Sequence, residues 1–165
     1  RHDKKTVALV GYTNAGKTSL LNALGKRKEY AADKLFATLD TRVADVYIPE
    51  LQGTVLLSDT IGFIQGLPPS LIKAFASTLS EAANADLLLH VVDASDPKHV
   101  EKMAVVDGIL ASIGLADKPM IVVMNKIDQV KSEKEKVKSG TEIFVSAVQK
   151  TGLDDLKSAI AKSLA

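Results

Sequence analysis

Apolar positions along this chain fall into short blocks that switch between two periods. Thr6-Val7-Ala8-Leu9-Val10 is a continuous apolar run of strand length, and Ser19-Leu20-Leu21-Asn22-Ala23-Leu24 follows helical spacing, with Gly25 placed to stop it. Residues 26–41 show neither period and are long for a connection. Arg42-Val43-Ala44-Asp45-Val46-Tyr47-Ile48 alternates as a half-exposed strand. A turn over 49–53 leads to Thr54-Val55-Leu56-Leu57-Ser58, and strands joined that closely run antiparallel. After an irregular piece over 63–67, Pro68-Pro69 opens a helix with Leu71, Ile72, Phe75, Ala76 and Leu79 on one face. Leu87-Leu88-Leu89-His90-Val91-Val92 reads as a strand that is apolar on both faces, with His90 structural. Val106, Ile109, Leu110 and Ile113 mark a helix closed by Gly114, and Pro119-Met120-Ile121-Val122-Val123-Met124 a further buried strand. A short strand over 141–145 precedes Thr151-Gly152-Leu153-Asp154, which reads as a capping box for a last helix burying Leu153, Leu156, Ile160 and Leu164. Strands alternate with helices apart from one hairpin. This predicts an α/β fold of three layers, α/β/α, with a six-stranded, mostly parallel sheet and one antiparallel edge strand.

Ligands of such folds sit at the carboxyl ends of the strands, which is where the polar motifs fall. Gly11-Tyr12-Thr13-Asn14-Ala15-Gly16-Lys17-Thr18-Ser19 has P-loop spacing, with a strand before it and a helix after it. Backbone N–H groups in such a loop surround crowded phosphate charge, and the helix adds its positive end. Lys17 would reach the β- and γ-phosphates, and the Thr18 hydroxyl would ligate Mg²⁺. Asp59-Thr60-Ile61-Gly62 closes the hairpin strand. Asp59 would hold Mg²⁺ through a water, and the Gly62 N–H would contact the γ-phosphate. Asn125-Lys126-Ile127-Asp128 follows a buried strand. A carboxylate there can accept hydrogen bonds from guanine N1–H and its 2-amino group, a donor pair that adenine lacks. Ser146-Ala147 is placed to offer a backbone N–H to guanine O6. Thr38, in the long irregular loop, would be a second protein ligand to Mg²⁺, engaged only when a γ-phosphate is present. A loop held in that way and freed on hydrolysis is a switch.

Composition narrows the picture. The formal net charge of +1 and the 4% aromatic content argue against a free-standing nucleic-acid binder, and the lysines over 131–138, mixed with Glu133 and Glu135, read as a solvated face. With no cysteine there is neither a disulfide nor a thiolate metal site. Arg1-His2-Asp3-Lys4-Lys5 is not a signal peptide and no apolar run is long enough for a bilayer, so a cytoplasmic, monomeric domain without membrane contact is expected. The chain has no initiator Met and begins almost at its first strand, as expected of a single domain, residues 1–165, cut from a longer protein.

Taken together, the motifs resemble the GTPase domain of HflX proteins, within the translation-factor-related P-loop GTPases of Ras-like fold. The resemblance is carried by residues 11–18, Leu35-Phe36-Ala37-Thr38-Leu39-Asp40, residues 59–68 (Asp-Thr-Ile-Gly-Phe-Ile-Gln-Gly-Leu-Pro), residues 74–79, residues 85–93 and Asn125-Lys126-Ile127-Asp128. It implies nucleotide-binding residues Gly11, Tyr12, Thr13, Asn14, Ala15, Gly16, Lys17, Thr18 and Ser19; Phe36, Ala37, Thr38, Leu39 and Asp40; Asp59, Thr60, Ile61 and Gly62; Asn125, Lys126 and Asp128; and Ser146 and Ala147. Lys17, Thr38 and Gly62 are the catalytic candidates, and Thr18, Thr38 and Asp59 the Mg²⁺ ligands. The resemblance further implies association with ribosomes, chiefly the large subunit, in recycling or rescue of stalled particles. Much of that contact is expected from an N-terminal domain outside this chain.

Phe63 stands where Ras-like enzymes carry a Gln that orients the attacking water, so slow intrinsic hydrolysis is expected, with help from a partner, a cation or the switches; Gln65 is a stand-in two residues late. Asn14 has two readings, a K⁺ site beside the phosphates or a support for the turn. Two functions stay open: a GTP-hydrolysing switch, and a GTP-binding interaction module with negligible hydrolysis. An ATP-dependent kinase is disfavoured by Asp128.

Overall fold

β1 (Thr6–Gly11) lies at the centre because its residues are apolar on both faces: Val7 and Leu9 point to one side, Ala8 and Val10 to the other, and all four are fully buried. In this computed structural model the described residues are 4–12, 15–27, 42–59, 84–130 and 142–165. After β1 come α1 (Lys17–Leu24), β2 (Lys26–Arg27), β3 (Arg42–Ile48), β4 (Gly53–Asp59), β5 (Leu87–Asp93), α2 (His99–Ser112), β6 (Met120–Asn125), β7 (Glu142–Phe144) and α3 (Leu153–Leu164). The strand order is β2-β3-β4-β1-β5-β6-β7. β1 runs parallel to β4 and β5, with Val7 opposite both Leu57 and Leu87, and β6 and β7 extend the parallel run.

The two faces bury different helices. Leu20, Leu21 and Leu24 of α1 and Leu156 and Ile160 of α3 pack with Val7, Leu9, Leu87 and Leu89. Val106, Ile109 and Leu110 of α2 pack with Ala8, Val10 and Leu88 on the other side. Each fully buried Leu contributes about 1.5–3 kcal/mol relative to exposure, so the double-sided apolar strands select this sandwich.

The expected architecture is borne out, with two local differences. Lys26–Arg27 forms a seventh, two-residue strand antiparallel to β3, through Lys26 opposite Asp45 and Arg27 opposite Ala44. The antiparallel strand β3 is therefore one place in from the sheet edge. Two residues carry no period, so no pattern in the sequence marks them. The expected capping box is also absent. Gly152, at φ +76°, is the N-cap of α3 and no side chain caps it. Thr151 is committed elsewhere, exchanging two backbone hydrogen bonds with Ser146 at 3.1 Å each. Gly152 also passes so close to β7 that a Cβ there would stand 2.2 Å from the Phe144 carbonyl oxygen. α2 ends as expected at Gly114, with Gly114 N–H to Ala111 O and Leu115 N–H to Leu110 O forming a Schellman motif. The expected helix over 68–79 lies outside the described residues.

Candidate functional site

The loop between β1 and α1 is closed at its start by the Ala15 N–H donating to Tyr12 O, 3.2 Å. Gly16, at φ +94°, turns the chain into α1. A Cβ at Gly16 would stand 2.3 Å from Asn125 Nδ2, so the loop can approach β6 this closely only with glycine here. The first turn of α1 then presents Lys17 and Thr18. Lys17 is 9% exposed with Nζ 3.9 Å from Asp59 Oδ1, and the Thr18 hydroxyl donates to Asp59 Oδ2 at 2.8 Å. Asp59 is itself buried at the end of β4, and its Oδ1 accepts no hydrogen bond among the described residues. Burial pushes the Lys17 pKa down, while the Asp59 carboxylate opposes that shift. A buried cation in the first turn of a helix is an arrangement that gains from an anion.

β6 delivers the second loop. Asn125, 1% exposed, donates from Nδ2 to Ala15 O at 3.1 Å and accepts at Oδ1 from the Ala147 N–H at 3.1 Å. It therefore ties the β1–α1 loop to the loop after β7. Lys126 is left-handed, φ +65°, which sends its side chain past Gly16 and its Nζ to 3.3 Å from Asp93 Oδ2. Asp128 is exposed and its Oδ1 accepts from the Ser146 hydroxyl at 2.7 Å, which sets the rotation of the carboxylate. The Ser146 hydroxyl also accepts from the Gln149 N–H, 3.1 Å.

Residues 6–126 match the family described as 50S ribosome-binding GTPase. The chain belongs to that family. Among curated relatives, GTPase HflX of Caldanaerobacter subterraneus is 49% identical over 160 residues, 96% of this chain and 36% of the relative. GTPase HflX of Escherichia coli is 40% identical over 167 residues, 98% of this chain and 39% of the relative. The resemblance to HflX read from the motifs is thus borne out, and the chain spans little more than a third of those relatives. A GTP-binding protein from Sulfolobus solfataricus, solved in complex with GDP, superposes with a TM-score of 0.72 at 31% identity, over 96% of this chain and 52% of that one. The G domain of the FeoB iron transporter from T. maritima gives 0.70 at 27% identity over 98% and 99%.

Within this GTPase-family fold, Gly11, Tyr12, Ala15, Gly16, Lys17, Thr18, Asp59, Asn125, Lys126, Asp128, Ser146 and Ala147 gather at one end of the sheet. Ser19 is exposed on α1. Tyr12 contributes backbone to the loop, but its ring faces the α2 side, buried with Val10 and Leu88. The Ser146 and Ala147 amides already donate, to Thr151 O and Asn125 Oδ1, so a base oxygen reached from Ala147 would share that N–H. Thr13 and Asn14, residues 36–40 with Thr38, Thr60, Ile61, Gly62, Phe63 and Gln65 lie outside the described residues, and the K⁺ reading of Asn14 with them. Asp93 and Ser95 escaped the sequence reading. Their signal was an Asx turn after a strand: the Ser95 N–H and hydroxyl both donate to Asp93 Oδ1, at 2.9 and 2.6 Å. His90 is buried as expected, with Nδ1 3.6 Å from Asp107 Oδ1 and no hydrogen bond.

Proposed function

We propose that this chain binds GTP with Mg²⁺ and hydrolyses it to GDP and phosphate, as the nucleotide switch of a larger ribosome-associated protein. The observation that carries the reading is Asn125, whose two hydrogen bonds join the phosphate-type loop and the loop beside Asp128 into one cleft. Lys17 and the α1 N-terminus offset charge on the β- and γ-phosphates. Asp128, oriented by Ser146, reads the guanine edge. The donors beside Lys17 suit Mg²⁺: a hydroxyl and one carboxylate, hard oxygens, with Asp59 Oδ1 accepting no hydrogen bond among the described residues, where this ion takes few protein ligands. When bound, Mg²⁺ neutralises charge on the β- and γ-phosphate oxygens. Thr38 and Gly62 complete the proposed catalytic set.

The ribosome enters through the family to which the chain belongs, and the large subunit is the partner we propose for the full-length protein. No helix among the described residues is long and apolar enough to cross a membrane. The deciding experiment is multiple-turnover phosphate release from GTP by the purified chain, with and without large ribosomal subunits. Slow turnover raised by subunits is expected. Saturable GTP binding without turnover in either condition would convert the reading to a nucleotide-ordered interaction module. Absence of GDP or GTP binding would refute both.

A further inference from the structure

The turn between β5 and α2 touches both halves of the cleft. Its first residue, Asp93, is clamped by Ser95 on one oxygen and faces Lys126 Nζ with the other, 3.3 Å away. Three residues later, Asp96 is fixed by its own turn. Its N–H donates to Asp93 O (3.2 Å), its Oδ1 accepts from the Lys98 N–H (2.9 Å), and its carbonyl accepts from the His99 N–H (3.0 Å). The remaining oxygen, Oδ2, accepts from Lys102 Nζ, one turn into α2. Held there, the Lys102 ammonium stands 5.0 Å from the centroid of the Tyr12 ring. Tyr12 is 9% exposed and carries the backbone carbonyl on which the β1–α1 loop closes.

We propose that Lys102, held by Asp96, is a positioning residue for the nucleotide loop: it clamps the Tyr12 ring against α2 and so fixes the start of that loop. Its role is exerted through Tyr12. The inference rests on the nucleotide-binding reading above. The chemistry is a cation over an aromatic face, with the cation's direction set by a carboxylate held in its own turn. The hydrogen bond between them holds the Asp96 carboxyl below its ordinary range and Lys102 above its own. Since Lys102 and Asp96 are partly exposed, the clamp weakens in high salt.

The test uses GDP and Mg²⁺ with the whole chain. GDP release is followed by displacement of a fluorescent GDP analogue, KM and kcat for GTP are measured alongside, and melting is recorded without nucleotide. Lys102→Met, which keeps the stem and removes the charge, should speed GDP release and raise KM by about two- to fivefold, the weight of one exposed cation–π contact, with kcat unchanged. Asp96→Asn should act in the same direction, the double variant should be no worse than the stronger single one, and Lys102→Arg should restore the parent values. Release indistinguishable from the parent in Lys102→Met would overturn the proposal. So would a loss that Lys102→Arg fails to rescue, or one that only tracks a lower melting temperature. If the parent chain itself binds no GDP, the failure lies with the nucleotide reading and the clamp falls with it.

Discussion

Replacing Asn125 by alanine is the sharpest perturbation of the cleft. The side chain is 1% exposed and makes two hydrogen bonds, to Ala15 O and from the Ala147 N–H, both 3.1 Å. Those partners sit in residues only 3% and 6% exposed, so water cannot readily replace the lost bonds. Leaving a buried backbone group unpaired costs about 1–3 kcal/mol, which makes Asn125→Ala a loss of about 2–6 kcal/mol for the two together. The loss divides between unfolding and binding, because the same bonds hold two loops that must both be in place for a nucleotide. An even division leaves about 1–3 kcal/mol in binding, and with about 1.4 kcal/mol to each factor of ten GDP affinity should fall about 5- to 100-fold. Urea unfolding of the nucleotide-free chain and calorimetric titration with GDP and Mg²⁺ separate the two shares. Asn125→Asp keeps the acceptor for Ala147 but places an oxygen against Ala15 O, and should be no better than alanine. Stability within about 0.5 kcal/mol of the parent, together with unchanged GDP affinity, would refute the idea that this residue joins the loops.

Three further outcomes are expected. Asp128→Asn should weaken binding of guanine nucleotides and favour xanthine nucleotide in competition titrations; unchanged GTP affinity would mean that the base lies elsewhere. Gly152→Ala should destabilise by about 1–3 kcal/mol, since it forces a Cβ against the Phe144 carbonyl at positive φ, and thermal melting would show it. The third is a pH dependence from His90, whose folded pKa is lowered by burial, with Asp107 opposing the shift. A depressed histidine pKa means that the unfolded chain takes up the proton first. Its contribution is therefore fully present above the ordinary value of 6.5 and declines as pH falls toward the lowered folded value. In His90→Leu, unfolding measured across that window should lose this slope, and an identical slope would assign it to other groups.

The fold was legible where apolar runs are long and two-sided. β1, β5 and β6 announce a buried parallel sheet, and the alternation in β3 marks the strand that pairs antiparallel beside it. The loop spacing from Gly11 to Thr18 and the Asn125-Lys126-Ile127-Asp128 string were equally readable, because each follows a strand end. What stayed hidden depends on tertiary approach. Lys26–Arg27 becomes a strand only because β3 passes beside it. The capping box failed because Thr151 is drawn into a bridge with Ser146, a partner set by where β7 ends. The bond between Asn125 and Ala15 spans 110 residues, and no local pattern encodes it. Asp96 and Lys102 are six apart across a turn, a spacing that does not make helical neighbours.

That long-range bond has a consequence for how the chain comes into being. Asn125 reaches back to Ala15 and forward to Ala147, so the joining of these loops is completed only after the chain beyond β7 has been synthesised and docked. On the proposed reading, a chain truncated before Ala147 would lack this tie and should bind guanine nucleotide more weakly, however well its first strand and helix had formed.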